Sequence, residues 1–349
     1  MTRETHYSSV PLVSSDVHAR RSDLFKETPL ERIERWTLGA AWALKLQRVS
    51  DLPALALMHV GDFAGARRTL PDPDSAVRPS GLCGLAHDLS VPALLEGHRK
   101  GLYPFAHVGP LKWMSPPERC VLSFENTHIS KRLRSRLRQG RHRVTFDTAF
   151  ERVIKACAAR RPGKWRLTWI TPRIMRAYAA LHDAGYAHSF EVWDEAGELV
   201  GGGYGVAVGG AFTIESQFTV ESHASKIGFA ALNWHLAHWG FLLSDNKGAT
   251  KNTLDAGFRL IPRGQFLRLM REAAARADHR GRWTVEADLQ TVAGWQPAKT
   301  CQRDGSSFQE ADEPQTNVTA GKAGAVLVPA FAGIDAELIG LCETLAVLA

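Results

Sequence analysis

Two acidic side chains stand where a sheet would present them for chemistry. Asp245 follows the apolar run Phe241-Leu242-Leu243-Ser244, and the end of a strand is where an open sheet exposes its site. Glu215 lies within Phe212-Thr213-Ile214-Glu215-Ser216-Gln217-Phe218; an acid among apolar neighbours in a strand needs a partner to offset its burial. Either carboxylate is placed to orient an attacking group or take its proton, with a strand-end turn and a structural ion pair as the plain alternatives. Trp169, in Trp169-Ile170-Thr171-Pro172, offers a broad π face suited to stacking on a base, or serves as a core aromatic. The 14 histidines show no metal-ligand spacing, so no metal site is expected. His182 and His188 flank a helix-to-strand turn and read as structural. Cys83, Cys120, Cys157, Cys301 and Cys342 form no CxxC pair, which argues against a disulfide framework or structural zinc.

Charge adds a second chemistry. Lys plus Arg total 43 against 36 acids, a net of +7. The stretch from His128 to Arg166 carries thirteen Lys and Arg against two acids, a local surplus of eleven that leaves the remainder slightly acidic. Such a block fits a polyanion, because each phosphate neutralised releases condensed counterions. Within it, Ile129, Leu133 and Leu137 recur every four residues, one helical face, and the arginines occupy the others. A solvated basic helix is the bland alternative.

The elements that must hold these groups alternate along the chain. Strands are expected at Arg143–Phe146, Ala187–Trp193, Leu199–Val208, Ala211–Phe218 and Phe241–Asp245. Helices are expected at Asp147–Ala158, Pro172–Ala184, Ala224–Trp239 and near Asn252–Ala256. This is an α/β pattern with a mixed sheet. Leu30–Arg48 reads as an amphipathic helix broken by Asp51-Leu52-Pro53, with a linker at Pro71-Asp72-Pro73-Asp74. Patterning decays after Met270, so residues 81–270 are expected to suffice as the folded core. Residues 297–322 read as disordered, and Ile334–Leu348 as a final helix. The expected organisation is 1–80 an extension, 81–117 a small N-terminal domain, 118–270 the catalytic domain and 271–349 a C-terminal extension. No apolar run reaches the ~18 residues of a membrane span, and the N-terminus lacks a secretory signal. A cytoplasmic protein without membrane partners is expected.

Ten strings of the core, in order, resemble those of the leucyl/phenylalanyl-tRNA–protein transferase family. They run from His87-Asp88-Leu89-Ser90, Leu102-Tyr103-Pro104-Phe105 and Trp113-Met114-Ser115-Pro116 through Trp169-Ile170-Thr171-Pro172 and His188-Ser189 to Glu191-Val192-Trp193. They continue with Gly201-Gly202-Gly203-Tyr204-Gly205, Glu215-Ser216-Gln217-Phe218, Ala224-Ser225-Lys226 and Ile261-Pro262-Arg263. The resemblance covers 81–270 and not residues 1–80 or the tail after about 280.

It implies a domain with the GCN5-related acetyltransferase fold beside a small N-terminal α/β piece, without a cofactor. The activity it implies moves an amino acid from aminoacyl-tRNA to the α-amine of a protein beginning with Arg or Lys. By the same resemblance Asp245 orients the attacking amine, with Glu215 and Lys247 beside it. Trp169, Phe105, Phe212, Ser216, Gln217, Phe218 and Gly203 form the aminoacyl-adenosine pocket, and Lys131, Arg132, Arg134, Arg138 and Arg141 meet the tRNA. The chain departs from the family at its centre: Asp-Cys-Gln becomes Asp245-Asn246-Lys247, a Met becomes Gln217, another becomes Gly203, and a Trp becomes Phe105. Lys247 is expected to pair with Asp245, to face the developing oxyanion, or to repel a cationic acceptor. A divergent transferase with another amino acid or acceptor, and a non-catalytic tRNA-binding relative, are the alternatives. An acyl-CoA transferase ranks behind them, because Ser222-His223-Ala224-Ser225-Lys226 lacks the Gly-rich loop that would cradle a pyrophosphate.

Overall fold

A computed structural model describes residues 15–44, 51–63, 70–77, 79–107, 109–160 and 167–297. The expectations for residues 298–322 and Ile334–Leu348 lie outside the described residues. Among the described residues ten strands build two sheets. β1 (Leu82–Leu85), β2 (Tyr103–Phe105) and β3 (Lys112–Met114) form a small antiparallel sheet in the order β1-β3-β2. The large sheet comprises β4 (Glu118–Leu122), β5 (Arg143–Phe146), β6 (Ala187–Trp193), β7 (Leu199–Val208), β8 (Ala211–Thr219), β9 (Leu243–Asp245) and β10 (Arg259–Pro262). Its order is β10-β4-β9-β8-β7-β6-β5, and only the β8–β9 pair is parallel. The helix Ala224–His238 makes the crossover that a parallel pair requires.

Every residue of β6 is buried, as expected for a strand covered on both faces. On one face, helices Phe150–Ala158, Pro172–Asp183 and Val91–Arg99 pack Val153, Ile154, Ile174, Tyr178 and Leu94 against Tyr204, Val206 and Phe218. On the other, helix Ala224–His238, helix Lys131–Arg138 and a short helix Leu289–Gly294 cover Phe190, Val192, Phe212 and Ile214. A third cluster joins Val121, Leu243 and Ile261 to Phe266 and Met270 of helix Arg263–Ala274.

Helix starts follow local chemistry. Ser90, Ser130 and Thr171 each accept a backbone N–H three residues on, satisfying one of the donors that a helix leaves free at its first turn. Pro172 follows the Thr171 cap at the first helical position, where no N–H is missed.

Three sequence expectations need correction. The final strand is shorter than Phe241–Asp245, because the Leu242 N–H turns to the Gly210 carbonyl and β9 begins at Leu243. The helix expected at Leu30–Arg48 is observed as Pro29–Ala43, fixed at its start by a capping box between Thr28 and Glu31, and a helix Ser15–Leu24 precedes it. The folded core also reaches past residue 270: Trp283, Val292 and Ala293 are buried, and Trp283 stacks on His188 with centroids 3.6 Å apart. At the other end Phe25 is 1% exposed and Arg21 binds both Glu151 and Asp183. These contacts are long-range and sparse in sequence, which is why no local periodicity announces them.

Candidate functional site

The two acids come together on one face at the middle of the large sheet. β8 and β9 run parallel with Thr213 beside Asp245. Side chains alternate with period two, so continuing that register brings Lys247 beside Glu215 on the same face. Across β9, Val121 pairs with Asp245, which sets Arg119 diagonally within reach on that face.

Asp245 is completely buried. Its carboxylate accepts a fork from Arg119: Nε to Oδ1 at 3.2 Å and Nη2 to Oδ2. Oδ1 also accepts the Lys247 N–H at 2.8 Å. That last contact holds Lys247 in the left-handed region, φ 61°, an uncommon conformation for a side chain with a Cβ. Arg119 is 1% exposed, donates Nη1 to the Gly101 carbonyl at 2.7 Å, and lies over the rings of Phe266 (4.2 Å) and Tyr103 (5.1 Å). Gly101 itself has φ +73°, and a Cβ there would meet Phe266 at 2.8 Å.

Glu215 owes its place to a β-bulge. Tyr204 pairs with Ser216 and Gly205 with Ile214, leaving Glu215 as the extra residue. The bulge reverses the alternation of β8: Phe212 and Ile214 enter one core cluster, whereas Phe218 enters the cluster on the opposite face. Glu215 accepts from the Lys247 ammonium (Nζ to Oε2, 2.7 Å) and faces His98 Nε2 (3.0 Å to Oε1). His98 Nδ1 meets the Leu94 carbonyl at 2.8 Å, so both ring nitrogens face oxygen atoms. Burial alone pushes Glu215 up, but the charge of Lys247 and the bond from His98 bring it down to about 2. Burial, and then the Glu215 charge, push the adjoining Tyr178 phenol well above its ordinary value.

Of the three groups, Lys247 alone reaches toward solvent, with 12% of its side chain exposed. Its Nζ lies 5.2 Å from the Tyr103 ring centroid and 5.4 Å from that of Trp169. Trp169 and Phe105 are 6.1 Å apart and both half-buried. The expected ion pair of Lys247 with Asp245 is therefore replaced: its ammonium serves Glu215, and only its backbone meets Asp245.

The seven pocket candidates divide between the two faces of the sheet. Ser216, Phe218, Trp169 and Phe105 lie on the side of the charged cluster. Phe212 instead packs 5.7 Å from Trp283. Gly203 lies where a Cβ would meet Gln217 at 2.7 Å and Phe190 at 2.8 Å, so Gly203 and Gln217 share the opposite face with Phe190. The bulge at Glu215 causes this division.

On the basic helix, Lys131, Arg132 and Arg138 are exposed, and so is Arg141 beyond its end. Arg134 is corrected: it is half-buried and spends its guanidinium on the carbonyls of Ile129 (3.1 Å) and Ala293. It ties helix Leu289–Gly294 to the basic helix. The sequence reading missed Arg119 and His98. Their signals were faint: an Arg at the head of the apolar run Cys120-Val121-Leu122, and a His on the helical face of Leu94 and Leu95. Burial pushes the thiols of Cys83 and Cys120 up to about 11, so neither is a nucleophile. Among the described residues no group of three or more His, Cys, Asp or Glu is placed to hold a metal, and no helix is long and apolar enough to cross a membrane.

The buried carboxylates thus stand behind a partly exposed ammonium and aromatic rings. The profile of the leucyl/phenylalanyl-tRNA protein transferases matches residues 121–271. The leucyl/phenylalanyl-tRNA–protein transferase of Pseudomonas syringae pv. tomato is 47% identical over 206 residues, covering 59% of this chain and 86% of that protein. Those of Anaeromyxobacter sp. and Alkalilimnicola ehrlichii are 44% and 42% identical, with 63% and 66% of this chain and 93% and 90% of theirs covered. The chain belongs to the leucyl/phenylalanyl-tRNA–protein transferase family. Among solved structures, L-PGS from Bacillus licheniformis matches 42% of this chain and 46% of that chain at 12% identity, with a TM-score of 0.28 too low to bear on the fold.

The depressed Glu215 sets an acid limit on stability. A carboxylate whose folded value lies below its unfolded one contributes stability above about pH 4.5 and loses it as pH falls toward 2. Urea midpoints measured from pH 6 to 2.5 should fall through that window, and Glu215→Gln should flatten this acid arm.

Proposed function

We propose that this protein transfers an amino acid from aminoacyl-tRNA to the N-terminal α-amine of an acceptor protein, and that acceptors beginning with Arg or Lys are its class. The observation that carries this reading is identity of 42 to 47% spanning 86 to 93% of three transferases. The single parallel pair β8–β9, bridged by helix Ala224–His238 in an otherwise antiparallel sheet, supports the finer assignment to a GCN5-related acetyltransferase-like domain.

The chemistry asks little of the protein. An aminoacyl ester is already activated; the amine must attack neutral, the tetrahedral oxyanion needs a donor, and the ribose hydroxyl must leave with a proton. Asp245 has both oxygens engaged, so in this reading it is a positioning residue that anchors the Asn246-Lys247 turn. Lys247 bonds Glu215 with one proton and keeps donors for the developing oxyanion. Trp169 and Phe105 receive the terminal adenosine. Lys131, Arg132, Arg138 and Arg141 track the tRNA backbone, and Arg134 supports the helix they stand on.

One observation favours a second reading with a different acceptor. The Lys247 ammonium already occupies the space by Tyr103 and Trp169, where a second cation would be repelled. Labelled aminoacyl-tRNAs offered with peptides beginning Arg, Lys or a neutral residue test both readings. Transfer to the Arg peptide is expected; transfer to a neutral peptide alone would select the second, and none to any peptide would refute both.

Two variants refine the site. Lys247→Gln should slow transfer by on the order of 10²-fold, the scale of one lost oxyanion donor; a faster rate on the Arg peptide would show the cation to be an obstacle. Replacing Lys131, Arg132 and Arg138 with Ala should weaken tRNA binding and flatten its log–log salt slope by roughly 0.7–0.9 per lost phosphate contact. An unchanged slope would leave the helix as a solvated face.

A further inference from the structure

Residues 1–80 lie outside the family resemblance, yet their described part is tied to the core beside the candidate site. Phe25 is buried with Leu94, Ile174 and Leu181. Arg21 donates Nε to Glu151 at 2.7 Å and binds Asp183, and Arg35 binds Glu27 at 3.0 Å. The capping box at Thr28 and Glu31 then fixes where helix Pro29–Ala43 begins. With its start pinned, the helix carries Trp42 to a set place.

That place is the aromatic row of the candidate site. The Trp42 ring lies 5.9 Å from Phe105, tilted by 57°, and meets His107 edge-on at 4.7 Å; His107 meets Phe105 edge-on at 4.9 Å. Phe105 is 6.1 Å from Trp169, and the Lys247 ammonium lies 5.4 Å from the Trp169 ring centroid. All four rings are half-buried. Partly exposed rings in series, ending on a cation, make a surface suited to an unstacked base and the polar group attached to it.

We propose that Trp42 of the N-terminal extension is a further donor-binding residue, its indole packing beside Phe105 and His107 against a purine at the 3′ end of the donor. The inference rests on the aminoacyl-tRNA reading of the Trp169–Phe105 pair and adds a contact from outside the stretch that resembles the family. The indole joins the row at Phe105 and His107, whereas the Lys247 ammonium joins it at Trp169. The indole therefore acts on binding, at a distance from the reacting ester.

The test uses the full chain and a 3′-aminoacylamido-adenosine, which carries the base and the amino acid but none of the remaining tRNA. Binding is measured by calorimetry for the parent, Trp42→Ala and Trp42→Phe, with thermal midpoints recorded alongside. Trp42→Ala should raise Kd roughly 5- to 20-fold, within what stacking one base supplies, and Trp42→Phe should retain most of the affinity. In transfer assays with intact aminoacyl-tRNA, KM should rise while kcat stays within about twofold. Unchanged affinity in Trp42→Ala would overturn the proposal and leave the function reading standing. Tighter binding would overturn it in favour of a cover over the site. No transfer and no binding by the parent would overturn both readings together.

Discussion

The buried pair of Arg119 and Asp245 is the constraint on which the site depends. Arg119 touches Asp245 of the large sheet, the Gly101 carbonyl in the turn after helix Val91–Arg99 and the ring of Phe266 at once. A guanidinium taken out of water costs several kcal/mol unless its donors are met. Here the Asp245 fork and the Gly101 carbonyl meet them, and the position of each element follows. Asp245 in turn holds the Lys247 N–H, and through it the left-handed turn that points the ammonium at Glu215.

Charge balance explains why such a centre is tolerated inside a fold. Asp245 is neutralised by Arg119, and Glu215 sits between Lys247 and His98. Neither carboxylate is left alone. What reaches toward solvent is an ammonium beside aromatic rings, the type of group that the proposed transfer would use to meet a developing oxyanion. Transfer from an activated ester needs little beyond this and correct positioning, for which effective molarities allow ~7–11 kcal/mol in favourable cases.

Much of this was legible in the sequence, for reasons that can be named. β5, β6 and β7 were read to the residue because long apolar strands between strong turns leave one choice. Glu215 and Asp245 stood out because acids among apolar residues demand an explanation. The partners did not: Arg119 is 126 positions from Asp245, and His98 117 from Glu215. Such pairings arise from strand order. The bulge at Glu215 was equally hidden, since one unpaired residue changes no local pattern yet carries Ser216 and Phe218 to the face of Glu215 and leaves Phe212 on the other. Arg134 was misjudged for a related reason: a basic helix has an inner side, and the carbonyl of Ala293 that claims it comes from 159 residues away.

A double-mutant cycle on Arg119→Met and Asp245→Asn, read by urea unfolding and by transfer, separates a structural keystone from a group that acts on substrate. If the pair organises the site, each single variant loses about 3–5 kcal/mol of stability, and the double loses little more than either. Transfer then falls in all three, as the Lys247 turn loosens. If instead Asp245→Asn unfolds at the parent's midpoint while transfer collapses, Asp245 works on the attacking amine directly, and the keystone account is wrong.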